Sequence, residues 1–164
     1  MRQFDIITHC VEYNNLEELE EADRLLLEQA IRAGMDAYAP YSQYYVGAAV
    51  RLSGGSVCTG NNQENVAYPS GLCAERVALF AASALYPGVP VESLAIAGRA
   101  LHFAITEPVT PCGACRQVIA EYEQLHARPV RLIMMGEKSR IWTVDSIRHL
   151  LPLMFAADQL RKHL

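Results

Sequence analysis

Two short segments hold the side chains whose types and spacing could do chemistry: Cys73-Ala74-Glu75 and Pro111-Cys112-Gly113-Ala114-Cys115. Each falls where a helix is expected to begin, so each thiol meets free backbone amides and the positive end of a helix dipole, which favour the thiolate. A closed structural zinc site takes four protein ligands. Three cysteines with no histidine near either segment leave the fourth position to water. Zinc held this way polarises water towards hydroxide near neutral pH, but it cannot also carry protons from the nucleophile to the leaving group. Glu75 lies on the same helical turn as Cys73, close enough to reach that water as a general acid and base without displacing a ligand. Three thiolates around a divalent cation leave a formal charge of -1, which weakens the Lewis acid. Arg76 and the two helix starts are the groups available to offset it, with Arg76 donating to thiolate sulfur.

Other readings of the same residues compete. A lone Cys-x-x-Cys in an α/β protein is as often a redox pair or two small core residues as a metal site. A thiol-disulfide oxidoreductase, however, would need neither Cys73 nor Glu75, and a structural zinc module would need a fourth protein ligand. Cys10 and Cys58 stand outside both segments in strand-like settings and read as buried hydrophobes. His9, His102, His126, His149 and His163 are also remote in sequence, and read as surface or core residues.

The elements that must position these groups follow from periodicity. Apolar residues from about Leu16 to Tyr38 recur at helical spacing, with Asn15 and Glu18 as the capping pair and Pro40 as the stop. Tyr44 to Leu52, the Gly54-Gly55 turn and Ser56 to Gly60 read as a β-hairpin. A second helix is expected from about Ser70 or Gly71 to Tyr86, before Pro87-Gly88. Strands at about Leu94 to Gly98 and Val130 to Met135 are apolar without alternation, as in strands covered on both faces. Between them a third helix starts just after Pro111. A short strand near Ile141 and a last helix from about Ser146 complete an α/β fold.

The chain of 164 residues is 51% hydrophobic and 20% charged, which suits one domain over 1–164. Eighteen acidic against fourteen basic residues give a formal charge of -4, with no run of Lys or Arg to neutralise a phosphate backbone, so no nucleic-acid partner is expected. Arg2, Asp5 and His9 interrupt the apolar residues of the first ten positions, and no stretch is long enough to span a bilayer. A cytoplasmic location without membrane contact is expected, and an odd count of five cysteines there favours thiolate or metal chemistry over disulfides.

From about Tyr38 to Leu160 the chain resembles the small three-cysteine branch of the cytidine and deoxycytidylate deaminases. The match rests on Ala39-Pro40-Tyr41-Ser42, Val46-Gly47-Ala48-Ala49, Asn62-Gln63-Glu64-Asn65, Cys73-Ala74-Glu75-Arg76, the run from Pro111 to Gln117, Leu150-Leu151-Pro152 and Phe155. The resemblance implies a three-layer α/β/α sandwich around a mixed five-stranded sheet, assembled as a homotetramer with one Zn2+ per subunit. It also implies hydrolysis of cytidine and deoxycytidine to the uracil nucleosides and ammonia in pyrimidine salvage. Cys73, Cys112 and Cys115 would hold the zinc, and Glu75 would move protons from water to N3 of the base and to the leaving ammonia. Asn62 and Glu64 would hold the ribose hydroxyls, although without the family a polar loop of this kind reads as an exposed turn. The Ala74 backbone would contact the pyrimidine, Tyr68 would lie near the ribose, and Phe155 would stack on the base in a neighbouring subunit.

The chain departs from the family's pattern in three places. Tyr44 stands where Phe is common over the nucleoside and adds a hydroxyl to the pocket. Gln63 replaces a common apolar residue. Residues 1–14 form an N-terminal extension without counterpart in the shortest members, suited to an added edge strand or a subunit contact. A deaminase of a modified cytosine nucleoside such as blasticidin S would share the zinc motif, but Asn62 and Glu64 favour an ordinary ribose.

Overall fold

Gly54 and Gly55, at φ +93° and +90°, reverse the chain between two strands, β2 (Tyr44–Leu52) and β3 (Val57–Asn61). In a computed structural model of the protein, which describes residues 1–156, this hairpin is one edge of a six-stranded sheet. The other strands are β1 (Val11–Tyr13), β4 (Val91–Ala100), β5 (Arg131–Gly136) and β6 (Ile141–Val144), in the order β1-β6-β5-β4-β2-β3. β4 and β5 run parallel and the remaining pairs antiparallel. The expected five strands are therefore joined by a sixth, contributed by the N-terminal extension: Val11, Glu12 and Tyr13 pair with Thr143, Trp142 and Ile141. Trp142 Nε1 donates to Glu12 at 2.8 Å, and Arg140 pairs with the same carboxylate.

Alternation in the buried strands separates two cores. Leu94, Ile96, Leu132 and Met134 face α2 (Ala74–Leu85) and α3 (Gly113–His126), where Ala78, Leu79, Ile119 and Ala120 meet them. Ala95, Ala97 and Ile133 face α1 (Glu21–Met35) through Leu26, Leu27 and Ala30. This gives the expected three-layer sandwich, with every layer contributing apolar side chains removed from water.

Several boundaries differ from expectation for local reasons. Leu16–Glu18 forms a 3-10 turn rather than the start of α1. Asn15 Oδ1 accepts from the Glu17 amide at 3.1 Å, but Glu18 reaches back to the amide of Asn14 at 2.9 Å, which closes the turn early. α1 stops at Met35 because the backbone of Tyr38 is engaged elsewhere, donating to Asn62 O and accepting from Glu64 N. Similarly, Leu72 exchanges both backbone hydrogen bonds with Gln63, so α2 begins only after Cys73. The last expected helix is a single 3-10 turn, Ile147–His149, within the described residues. Pro152 disfavours helical backbone at Leu151, and residues 157–164 lie outside the described part.

Two glycines govern the route into the site. Gly98 and Gly136 are paired at the C-terminal ends of β4 and β5. A Cβ on Gly98 would lie 2.7 Å from Val109 Cγ2, and one on Gly136 would lie 2.5 Å from the Glu107 carbonyl. Their bare backbones let residues 105–109 cross directly on the sheet and deliver Pro111 and Cys112 to the start of α3. At the opposite ends of these strands, buried Asp23 joins α1 to Arg131 (2.7 Å) and Arg51 (3.3 Å).

Candidate active site

Cys73 and Cys112 are the residues that precede α2 and α3, both with extended backbone, and Cys115 lies in the first turn of α3. Two helix N-termini are thereby brought side by side, and their amides and dipoles favour negative charge at the same point. Cys73 Sγ lies 3.9 Å from Cys112 Sγ, and Cys112 Sγ lies 3.5 Å from Cys115 Sγ. All three sulfurs fall within 4.8 Å of one another, and among the described residues this cluster contains no histidine. Tetrahedral zinc with bonds near 2.3 Å requires sulfurs about 3.8 Å apart, so the donor set and its spacing fit the ion.

Electrostatics around the sulfurs agree. Arg76 Nη2 donates to Cys73 Sγ at 3.7 Å, as expected from its place one turn along α2. Without a cation the thiols cannot all ionise together. Cys73 is lowered to about 5, first by a hydrogen bond from Cys115 and, against the cost of burial, also by Arg76. Cys115 is pushed up by that same contact with Cys73 and by its own burial. A divalent cation would resolve this by drawing the remaining protons off.

Glu75 is 4% exposed. Burial pushes its carboxyl above the ordinary glutamate range, partly offset by its own backbone amide, and the Cys73 thiolate pushes the same way. It lines a cavity of about 410 Å³ together with Tyr44, Asn62, Glu64, Ala74 and Cys112. Tyr44 is half-buried, and burial, followed by the charge of Glu75, pushes its hydroxyl above the ordinary tyrosine range.

Asn62 and Glu64 are not an exposed turn. Asn62 Oδ1 accepts from the Val46 amide at 2.8 Å and Nδ2 donates to the Tyr44 carbonyl at 2.9 Å, so its amide acts as one more rung beside β2. Glu64 accepts from the Tyr41 and Ser42 amides (2.9 and 3.2 Å) and from the Ser42 hydroxyl. Burial opposes its ionisation most strongly, but these donors together hold its carboxyl below the usual range. Gln63, between them, is exposed.

Two of the candidate substrate-binding residues, Tyr68 and Phe155, stand outside the cavity. Tyr68 is 75% exposed on a 3-10 turn and meets Tyr41 edge-on at 6.1 Å. Phe155 is 71% exposed, its carbonyl accepting from Gln117 Nε2 at 3.0 Å. Cys58 is buried as expected, whereas Cys10 is exposed because it lies in the extension just before the edge strand β1. Sequence reasoning missed Ser42, Val109 and Thr110 as lining residues. Ser42 could have been found as a small hydroxyl residue just before the hairpin, and the other two as the approach to Pro111. Phe103, stacked on Tyr44 at 6.3 Å and 30°, left no signal, because residues 101–110 carry no periodicity.

Three convergent sulfurs and a buried carboxyl beside an open cavity of mixed apolar and polar lining are the groups a metal-assisted hydrolase requires. Residues 20–129 match the family model of the cytidine and deoxycytidylate deaminase zinc-binding region. The chain is 39% identical over 137 residues to a cytidine deaminase of Halalkalibacterium halodurans, covering 84% of this chain and 96% of that protein. The fold matches the crystal structure of cytidine deaminase from Burkholderia pseudomallei with a TM-score of 0.68 and 37% identity, over 80% of this chain and 97% of that one. The Mycobacterium tuberculosis cytidine deaminase structure matches with a TM-score of 0.60 and 32% identity, over 80% and 95%. The chain belongs to the cytidine and deoxycytidylate deaminase family.

Proposed function

We propose that the protein is a zinc-dependent hydrolase that converts cytidine and deoxycytidine to uridine and deoxyuridine with release of ammonia, serving pyrimidine salvage. The observation that carries this reading is the convergence of the Cys73, Cys112 and Cys115 sulfurs, with Cys73, Cys112 and the buried carboxyl of Glu75 lining one cavity and Cys115 buried behind them. Zinc held by the three sulfurs would supply the Lewis acidity that makes water nucleophilic at neutral pH.

The chain's own residues do the rest. Glu75 takes a proton from the attacking water and delivers it to N3 as the oxygen bonds to C4. It then takes the remaining proton from the new C4 hydroxyl and passes it to the 4-amino group, so that the C4=O bond forms as the C4–N bond breaks and ammonia leaves. Its raised proton affinity suits a group that must accept and return a proton in each cycle. Arg76 offsets thiolate charge through Cys73.

Asn62, fixed by its two bonds to β2, keeps one N–H and one lone pair for a ribose hydroxyl, and Glu64, which already accepts three hydrogen bonds, keeps about one lone pair, on Oε1, to accept from the sugar. Ala74 offers its backbone to the pyrimidine, and Tyr44 covers the nucleoside. The exposure of Phe155 and Tyr68 supports a homotetramer, one zinc per subunit, in which Phe155 reaches a neighbour's pocket and Tyr68 packs near the ribose or an interface. The cytoplasm, where thiolates stay reduced, is the proposed compartment. The test is the ultraviolet absorbance of cytidine with the parent and with Glu75→Ala, zinc being measured in both. Conversion by the parent alone supports the reading, and an inactive zinc-loaded parent overturns it.

A further inference from the structure

Arg116, one residue past Cys115, joins two segments on which the proposed reaction depends. Its Nε donates to the Pro111 carbonyl at 2.7 Å and its Nη1 to the Leu150 carbonyl at 2.8 Å. The first bond closes the turn that aims Cys112. The second anchors the start of the segment that runs to Phe155. Gln117, the next residue, holds the far end of that segment through the Phe155 carbonyl. His149, just before Leu150, is held in turn by the extension: Thr8 Oγ1 donates to its carbonyl at 3.0 Å, and the His9 amide donates to its Nδ1 at 3.2 Å.

A cation in the first turn of a helix opposes the helix dipole, so its placement there calls for a compensating role. The planar guanidinium presents donors in a fixed fork that can satisfy two carbonyls at once, which a single ammonium group cannot do with the same geometry. The Pro111 carbonyl belongs to the peptide that leads into Cys112, and a rotation of that peptide would displace the Cys112 sulfur.

We propose that Arg116 is a positioning residue that fixes the Cys112 turn against residues 150–155, so that one guanidinium sets both zinc retention and nucleoside affinity. The inference rests on the deaminase reading for its nucleoside half and on zinc coordination by the cysteines for the other.

The test compares zinc-loaded parent, Arg116→Lys, Arg116→Gln and Gln117→Ala. Zinc release to an excess of a chromogenic chelator is timed, KM for cytidine is measured, and each variant's thermal unfolding is recorded. Both Arg116 variants are expected to release zinc about 10-fold faster or more, and to raise KM. Gln117→Ala is expected to raise KM while releasing zinc at the parent rate. Folded Arg116 variants with the parent's zinc release and KM would overturn the proposal, and so would a lowered melting temperature with both readouts unchanged. A parent inactive on cytidine would instead sink the deaminase reading, leaving the zinc-release comparison to decide the role of Arg116 at the metal turn.

Discussion

Arg76→Gln removes a cation from beside Cys73 while keeping a side chain that can donate one hydrogen bond. Two unit charges about 4 Å apart interact by about 4 kcal/mol at an effective dielectric constant of 20, and Arg76 Nη2 lies 3.7 Å from Cys73 Sγ. Solvent reaches the half-buried guanidinium and its charge is delocalised, so only part of that interaction is lost. Partners of metal ligands typically contribute 10–100-fold, and kcat should fall by about that factor, or about 1.4–2.7 kcal/mol in the barrier. Three sulfur ligands remain, so zinc stays bound. The assay is steady-state deamination of cytidine at neutral pH on protein whose zinc content has been measured. An unchanged kcat would refute the argument that thiolate charge must be offset by Arg76. Complete loss of zinc would show instead that Arg76 serves retention of the metal.

Other consequences follow from the same geometry. In the metal-free protein Cys73 titrates near 5 while Cys115 is held protonated. Zinc binding must therefore expel protons, and zinc affinity should rise with pH across the neutral range and fall below it, which competition titrations at several pH values would read. Glu123 is buried and accepts from the Val130 and Ile147 amides and from the Ser146 hydroxyl at 2.8–2.9 Å. Glu123→Ala leaves two amides unsatisfied and should cost about 3 kcal/mol in denaturant unfolding, and Glu123→Gln about 1 kcal/mol. Gly136→Ala forces a Cβ against the Glu107 carbonyl. It should lower stability by about 1–3 kcal/mol and speed zinc loss, because residues 105–109 lead to Cys112.

The cysteine cluster was easier to read than the frame around it. Cys73, Cys112 and Cys115 were legible as a cluster with Glu75 beside them because thiol types and short spacings can be read without the fold, although the start of α2 was placed too early. The two-sided burial of β4 and β5 was legible from their unbroken apolar runs. The additional edge strand was not, because Val11–Tyr13 is short and exposed and acquires its partner only when β6 lies beside it. The ends of α1 and α2 were misplaced because Tyr38 and Leu72 spend backbone hydrogen bonds on residues 62–64, a long-range choice invisible to helical periodicity. Asn62 looked like a turn residue for the same reason, since its amide is fixed by strand β2. Phe103 reached Tyr44 only through the irregular path of residues 101–110.

One comparison decides between Glu75 as proton carrier and a bystander role: the absorbance of cytidine incubated with the parent and with Glu75→Ala, zinc being determined in each. Conversion to uridine by the parent, at least a 100-fold loss in the variant, and equal zinc in both are expected. A zinc-loaded variant as fast as the parent would contradict the role given to Glu75, and a zinc-loaded parent that leaves cytidine unchanged would contradict the deaminase reading itself.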